Sequence, residues 1–294
     1  MNQSSHALYR KGQIQVMCAA LLWSSGGLLL RLIQADEWTV IFWRSVFAIA
    51  FLLLIVVIRE PNTIRHSFRQ LGWPGVIVAV CLATDTVLFV LALNRTSIAN
   101  GLIMLATAPF WAALLAWLVL REHIPKRTWF AMIASIVGIV VMVSGSVGST
   151  SLIGDGMALS IAILFAVPVV IIRKHPEIRM MPAVILAAAM AATFAFPFAT
   201  LWDNTAIDLS YIAFFGIVEY GVASVIFMAG ARHIPAAQAT LIGLMETVLG
   251  PIWVWLIIGE FPGLRTVAGG SIVLIALAIY VYRDLKFTQQ QPSR

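Results

Sequence analysis

The chain has 294 residues, 61% of them hydrophobic and only 11% charged, with a formal net charge of +6 and a mean hydropathy of +0.95. Soluble domains carry about 25% charged residues, and the shortage here runs the whole length, which excludes a water-soluble domain held by a single anchor. A pI of about 9.7 would suggest a nucleic-acid partner in a soluble protein, but in a chain this apolar it points to Lys and Arg gathered in loops on one side of a bilayer.

A membrane-crossing helix needs about 20 predominantly apolar residues. In chain order the segments that qualify are 12–32, 38–58, 72–94, 97–120, 128–147, 154–173, 180–202, 210–231, 235–258 and 263–282. The first follows Arg10 and Lys11 and shows no small-residue cleavage site, so it reads as a retained span. Cys18 and Cys81 both lie inside apolar runs, which argues against a structural disulfide. Span 2 carries Arg44, span 3 Asp85, span 8 Glu219 and span 9 Glu246; no other Asp, Glu, Lys or Arg sits well inside a span. Turns at Glu60-Pro61-Asn62 and Gly148-Ser149-Thr150 are short, and no linker is long enough for a separate soluble domain.

With the N-terminus in the cytoplasm, fifteen of the 19 Lys and Arg fall in inner loops or tails, and only Arg31, Arg95 and Arg265 fall outside. That bias places both termini in the cytoplasm. All five histidines lie in inner loops or the inner tail, which argues against an intramembrane metal site and against histidine catalysis. No segment resembles a nucleotide-binding loop. No cofactor, no metal and no enzymatic activity are expected.

Sliding the chain by 138 residues aligns Val87–Thr128 with Val225–Thr266 without a gap. Trp117-Leu118 meets Trp255-Leu256, Glu122 meets Glu260, and Arg127-Thr128 meets Arg265-Thr266. A slide of 142 lays "GQIQVMCAALLWSSGGLLLR" over "GDGMALSIAILFAVPVVIIR". Each half holds an odd number of spans, so the second half is inverted in the membrane, which is the plan of a transporter with a midplane site. The expected fold is all-α: ten transmembrane helices as two inverted five-helix repeats, 1–150 and 151–294, around a central cavity.

The stretches "ALLWSSGGLLLR", "FWRSVFAIA", "APFWAALLAWLVLREHI" and "METVLGPIWVWLIIGEF" resemble the EamA-type carriers of the drug/metabolite transporter superfamily. The resemblance covers essentially the whole chain and implies that spans 1–4 and 6–9 line the cavity, with 5 and 10 as scaffold. It also implies a Glu-Pro pair in both copies of the repeat; here the first copy reads Ala108-Pro109 and the second Glu246-Thr247. Glu246 is thus the only carboxylate at this repeat position.

A charge at the bilayer centre costs roughly 2.5–3.5 kcal/mol on insertion scales, so each buried charge calls for a partner or a use. Arg44 and Asp85 are expected to pair, as a clamp between spans 2 and 3 or as part of the binding site. Glu219 serves either a polar kink near Gly216 or Gly221 or the transport chemistry. Glu246, solitary at the middle of its span, reads as functional, and Glu219 with Glu246 as the proton-coupling pair. Trp23, Trp111 and Tyr220 supply aromatic faces for a cationic or apolar substrate, and Ser24, Asn100 and Gln238 supply hydrogen bonds. Asn100 and Gln238 are repeat equivalents that could equally bond helix to helix, and Gly26-Gly27 read as close-packing positions.

The expectation is a secondary carrier in a bacterial inner membrane, monomer or homodimer, with a small-molecule substrate and no nucleic-acid partner. It exports a small amphipathic metabolite, an amino acid or a cationic or aromatic organic compound, by alternating access with proton coupling. An uncoupled facilitator or exchanger of the same superfamily is the alternative, and a membrane enzyme or scaffold ranks below both.

Overall fold

A computed structural model describes residues 3–59, 64–93, 98–144, 152–202, 204–259, 261 and 263–289. Among these residues ten helices are long and apolar enough to cross a membrane, and each coincides with one of the ten expected segments to within several residues. Span 1 comprises α1 (Gln3–Trp23) and α2 (Gly26–Leu32), span 2 is α3 (Glu37–Arg59), and the short α4 (Ile64–Gln70) leads into span 3, α5 (Gly72–Leu93). Span 4 comprises α6 (Ile98–Leu105) and α7 (Ala108–Leu120), span 5 is α8 (Lys126–Val143), and span 6 is α9 (Leu152–Lys174). Span 7 is α10 (Met181–Ala195), closed by a 3₁₀ turn at Phe196–Phe198. Span 8 begins as α11 (Ala206–Phe214), becomes π-helical over Phe215–Val222 and ends as α12 (Ala223–Ala231). Span 9 comprises α13 (Ala236–Gly243) and α14 (Met245–Ile258), and span 10 is α15 (Leu264–Gln289).

Ten antiparallel spans put both termini at one end of the bundle, called here the terminal end. Contacts between chain-distant residues agree with that parity. Tyr9 at the start of span 1 reaches Gln238 at the start of span 9, and Asp36 after span 1 reaches Thr200 after span 7.

Packing follows the repeat. Span 1 lies on span 8 as span 6 lies on span 3, and span 1 meets span 9 as span 6 meets span 4. Spans 2 and 7 pack on each other, as do 5 and 10. Each of these pairs is its own mate or has one when the halves are exchanged, which is the signature of an inverted repeat about a pseudo-two-fold axis. The repeated Arg-Thr dipeptides have matching duties. Arg127 and Thr128, opening span 5, bond Asp284 (2.7 Å) and Tyr280 (3.2 Å) at the end of span 10. Arg265 and Thr266, opening span 10, bond the carbonyls of Ser144 (3.1 Å) and Met142 (3.3 Å) at the end of span 5.

Three spans are interrupted at mid-depth, at Ser24-Ser25, at Ala106-Thr107 and at Leu244. The last two interruptions are repeat equivalents, 138 residues apart. At each, an amide bonds the carbonyl three residues back: Ser25 to Leu22 (3.2 Å), Thr107 to Met104 (3.1 Å) and Leu244 to Leu241 (3.2 Å). Where hydroxyls are available they donate to the same tier of carbonyls, Ser24 to Leu21 (2.6 Å), Ser25 to Leu22 (2.8 Å) and Thr107 to Met104 (2.6 Å). Backbone groups freed inside a membrane must be satisfied within the protein, and these side chains do so.

Candidate functional site

The interruptions and the π-helical segment bring the chemistry-bearing side chains together. An added residue per turn is the hallmark of π-helical segments, which recur at functional sites. Here the segment carries Phe215, Gly216, Glu219 and Tyr220. Gly216 is required by close approach: a Cβ there would stand 2.2 Å from the carbonyl oxygen of Arg44. That contact seats Arg44 against span 8. Its guanidinium carbon lies 4.5 Å from the ring centre of Phe215 and 4.9 Å from that of Tyr220, an arrangement favourable by roughly 0.5–2 kcal/mol for each ring. Arg44 is buried, with Nε lacking a hydrogen-bond partner.

The expected clamp between Arg44 and Asp85 is not a contact ion pair among the described residues. The rings of Phe215 and Tyr220 take the face of the guanidinium instead, and its charge acts through space on both Asp85 and Glu219. Glu219 presses on the interruption of span 1. Its Oε1 would lie 3.1 Å from a Cβ on Gly26, and its Oε2 is buried without a partner. Gly26 is therefore a close-packing position against span 8, meeting the Glu219 carboxylate and the Phe215 ring (3.5 Å), while Gly27 is exposed with nothing within 4 Å of a Cβ built there.

Glu246 stands in the first turn of α14, directly after the interruption at Leu244. The positive end of a helix dipole favours an anion there. Its electrostatic neighbours are Glu219 and Asp85, not a cation. All three carboxylates are half-buried rather than sealed. They share a field without sharing a ligation sphere: among the described residues no three His, Cys, Asp or Glu side chains come close enough to hold a metal ion.

Other expected site residues make contacts at the interruptions and between spans. Ser24 accepts a hydrogen bond from Nε1–H of Trp253 (2.8 Å), fastening α14 to the interruption of span 1. Trp111 donates to the Thr107 hydroxyl (3.2 Å) at the interruption of span 4. Trp23 packs against Phe227 (4.8 Å between centroids) and Phe165 (5.8 Å). By the 142-residue slide Trp23 and Phe165 are repeat mates. The Asn100 side chain lies outside the described residues.

Gln238 is elsewhere. It is fully buried at the terminal end, accepting from Tyr9 (2.6 Å) and donating to Asp284 (3.1 Å), so it bonds helix to helix rather than lining the cluster. Asp284, which the hydropathy pattern leaves beyond span 10, is 1% exposed and also receives the Tyr9 hydroxyl, Gln13 (3.0 Å) and Arg127 (2.7 Å). A second terminal-end contact joins Arg173 to Glu122 (3.0 Å) and to the carbonyl of Arg232 (3.0 Å). Beside it, burial and then the charges of Arg232, Arg173 and Lys11 hold the His233 imidazole below its usual range. At the opposite end, Asp36 takes hydrogen bonds from Thr39 and Thr200 (2.5 Å each). Burial pulls the Asp36 carboxyl upward, but these hydroxyls and the amides of Thr39 and Trp38 outweigh it and hold it below the usual carboxylate range.

Comparison with known proteins gives a consistent picture. The model of the EamA-like transporter family matches residues 10–144 and again 152–282. The pseudopaline exporter CntI of Pseudomonas aeruginosa is 24% identical over 243 residues, 81% of this chain and 83% of that protein. The S-adenosylmethionine uptake transporter of Rickettsia prowazekii is 23% identical over 256 residues, 86% of this chain and 85% of that protein. A crystal structure 17% identical in sequence superposes with a TM-score of 0.80, covering 92% of this chain and 96% of that one, which shows a shared fold.

Proposed function

The chain belongs to the EamA-like transporter family, and from that premise we propose that it is a proton-coupled secondary carrier exporting a small amphipathic metabolite with a positively charged group. The observation that carries this reading is the charge balance of the cluster. Three carboxylates, Asp85, Glu219 and Glu246, face one guanidinium, and the one farthest from its influence is Glu246. With every group ionised, two negative charges would remain unmatched at membrane depth, where each costs a few kcal/mol. Protons or a cationic substrate relieve the excess, and the two compete for the same oxygens. Competition of that kind is the basis of exchange.

The roles divide accordingly. Glu246 and Glu219 hold either the proton or the cationic group. Arg44, fixed between two rings, limits how much positive charge the cavity accepts. Trp23, Trp111 and Tyr220 supply apolar and aromatic walls, with Ser24 holding the wall formed by Trp253. The fold supports alternating access by rocking one repeat against the other. The excess of Lys and Arg at the terminal end supports cytoplasmic termini, and the bacterial relatives fit an inner-membrane location. One relative is named as an exporter and another as an uptake transporter, so direction is a separate measurement.

The test is transport in liposomes of purified protein, screened against labelled amino acids and organic cations with and without a pH gradient. Wild-type protein is expected to accumulate a cationic substrate against its gradient when the opposing proton gradient is imposed. Glu246→Gln is expected to lose that gradient-driven transport by about a hundredfold or more, the scale of removing one partner of a buried charge pair. Correct assembly of the variant is checked by gel filtration and thermal unfolding. Wild-type rates from a well-assembled variant across the pH range would refute the reading.

A further inference from the structure

The terminal end carries a polar network that the transport chemistry leaves unused. Asp284, 1% exposed, is its hub. Around it stand Tyr9 and Gln13 from span 1, Gln238 from span 9 and Arg127 from the start of span 5. Tyr9 further bonds Gln238. Four of these five links cross from one repeat to the other: Tyr9 to Gln238, and Tyr9, Gln13 and Arg127 to Asp284. Gln13 and Gln238 are 1% and 0% exposed, so water has little part in holding them.

The network sits where the bundle is shut. All eight residues of α13 are buried, and α13 packs against α7, α1 and α9. At the opposite end α14 has no buried residue beyond Val248, and among the described residues its repeat-related partner α6 has no packing against it comparable to α7 on α13. The repeat mate of the Arg127–Asp284 pair is Arg265 on the carbonyl and hydroxyl of Ser144, which is exposed and, among the described residues, has no carboxylate in it.

We propose that the Asp284 network is a latch that holds the terminal end closed and biases the resting protein toward the state open at the opposite end. The inference rests on the alternating-access reading, since rocking the repeats apart at the terminal end must pull Tyr9 and Gln13 from Asp284 and Gln238. A hydroxyl removed at Tyr9 deletes two cross-repeat links without changing charge or shape. Asp284→Asn keeps the shape and removes the charge that Arg127 and three neutral donors converge upon.

Thr240, 1% exposed in the middle of α13, is the reporter. Thr240→Cys is made in a chain with Cys18→Ala and Cys81→Ala, and labelled in liposomes with a membrane-impermeant maleimide from the terminal side. Val273→Cys, at a position 0% exposed in span 10, reports general loosening. Slow labelling of Thr240→Cys is expected with the latch intact, and labelling at least tenfold faster with Tyr9→Phe or Asp284→Asn, while Val273→Cys stays unlabelled throughout. Unchanged labelling at Thr240→Cys in both variants would overturn the proposal, as would equal acceleration at Val273→Cys. The assay needs no substrate, so it separates the two readings. Accelerated labelling in a protein that transports none of the screened compounds removes the proposed function and keeps the latch. Unchanged labelling in a proton-coupled transporter does the reverse.

Discussion

Spans 4 and 9 are one unit of sequence inverted in the bundle, so that corresponding halves lie at opposite ends, and the structure packs them differently. In span 4, α7 buries Ala108, Pro109, Ala112, Ala113 and Ala116, a face of small residues that lets helices approach closely. Its mate in span 9, α14, buries only Thr247 and Val248. The other halves show the opposite contrast: α13 is buried throughout, whereas Leu102 to Leu105 of α6 are half-buried. The repeat is therefore symmetric in plan and asymmetric in conformation. One molecule displays the shut and the parted forms of the same motif, and Ala108, Ala113 and Ala116 of the shut form stand where the parted form has Glu246, Pro251 and Val254.

That comparison is open to experiment in three places. The largest effect is expected where span 8 departs from span 3. Val78 in span 3 is the repeat mate of Gly216 in span 8, and Gly216→Val would place a side chain against the carbonyl of Arg44, 2.2 Å from the new Cβ. A backbone atom cannot yield as a side chain does, so the variant should lose about 3 kcal/mol and melt at a clearly lower temperature in detergent. Melting like wild type would mean the two spans are interchangeable.

A smaller difference is expected between α7 and α14. Ala116, 1% exposed, has Val254 as its mate. Ala116→Val should cost about 1–2 kcal/mol by overpacking the shut interface, and Val254→Ala less than about 1 kcal/mol because its site is only half-buried. Paired thermal unfolding curves measure the contrast, and equal losses would erase the distinction between the two ends.

The smallest effect concerns the opposite end, where Asp36 joins the loop after span 1 to Thr200. The folded carboxyl titrates below its usual range, so its stabilisation is fully present above the unfolded value of about 3.9. It is lost as the pH falls through the depressed folded value. Melting temperature should drop over that acidic interval in wild type and drop less in Thr200→Val. Identical pH profiles would show that the loop contact adds nothing to stability.

The spans were legible because length and hydropathy alone define a membrane helix, and the repeat because Arg-Thr and Trp-Leu recur at one offset. The Arg-Thr dipeptides proved to have a shared duty that spacing could not show. Helical periodicity could not reveal the π-helical segment, since one added residue per turn leaves an apolar run looking the same. The interruptions at Ser24-Ser25 and Thr107 escaped notice for a related reason, because hydroxyls that bond backward to the chain read as ordinary polar residues. Arg44 and Asp85 are legible by charge and interact through space rather than in contact, while the ring contacts of Arg44 come from a helix more than 170 residues away. Asp284 lies just past the apolar run of 263–282, so hydropathy gives it no role. Nothing local announces that Tyr9, 275 residues distant in sequence, closes over it.

The contact between Trp23 and Phe165, 5.8 Å between ring centres, joins a residue to its own counterpart in the other repeat. Such a pair straddles the pseudo-two-fold axis, and an interchange of the two repeats' conformations maps it onto itself. Like the packing of span 2 on span 7 and of span 5 on span 10, this contact is a fixed point of the exchange. It can act as the fulcrum on which the two halves tilt. An indole facing a phenyl ring makes that fulcrum lopsided, and edge-on stacking at 74° lets the rings roll without parting.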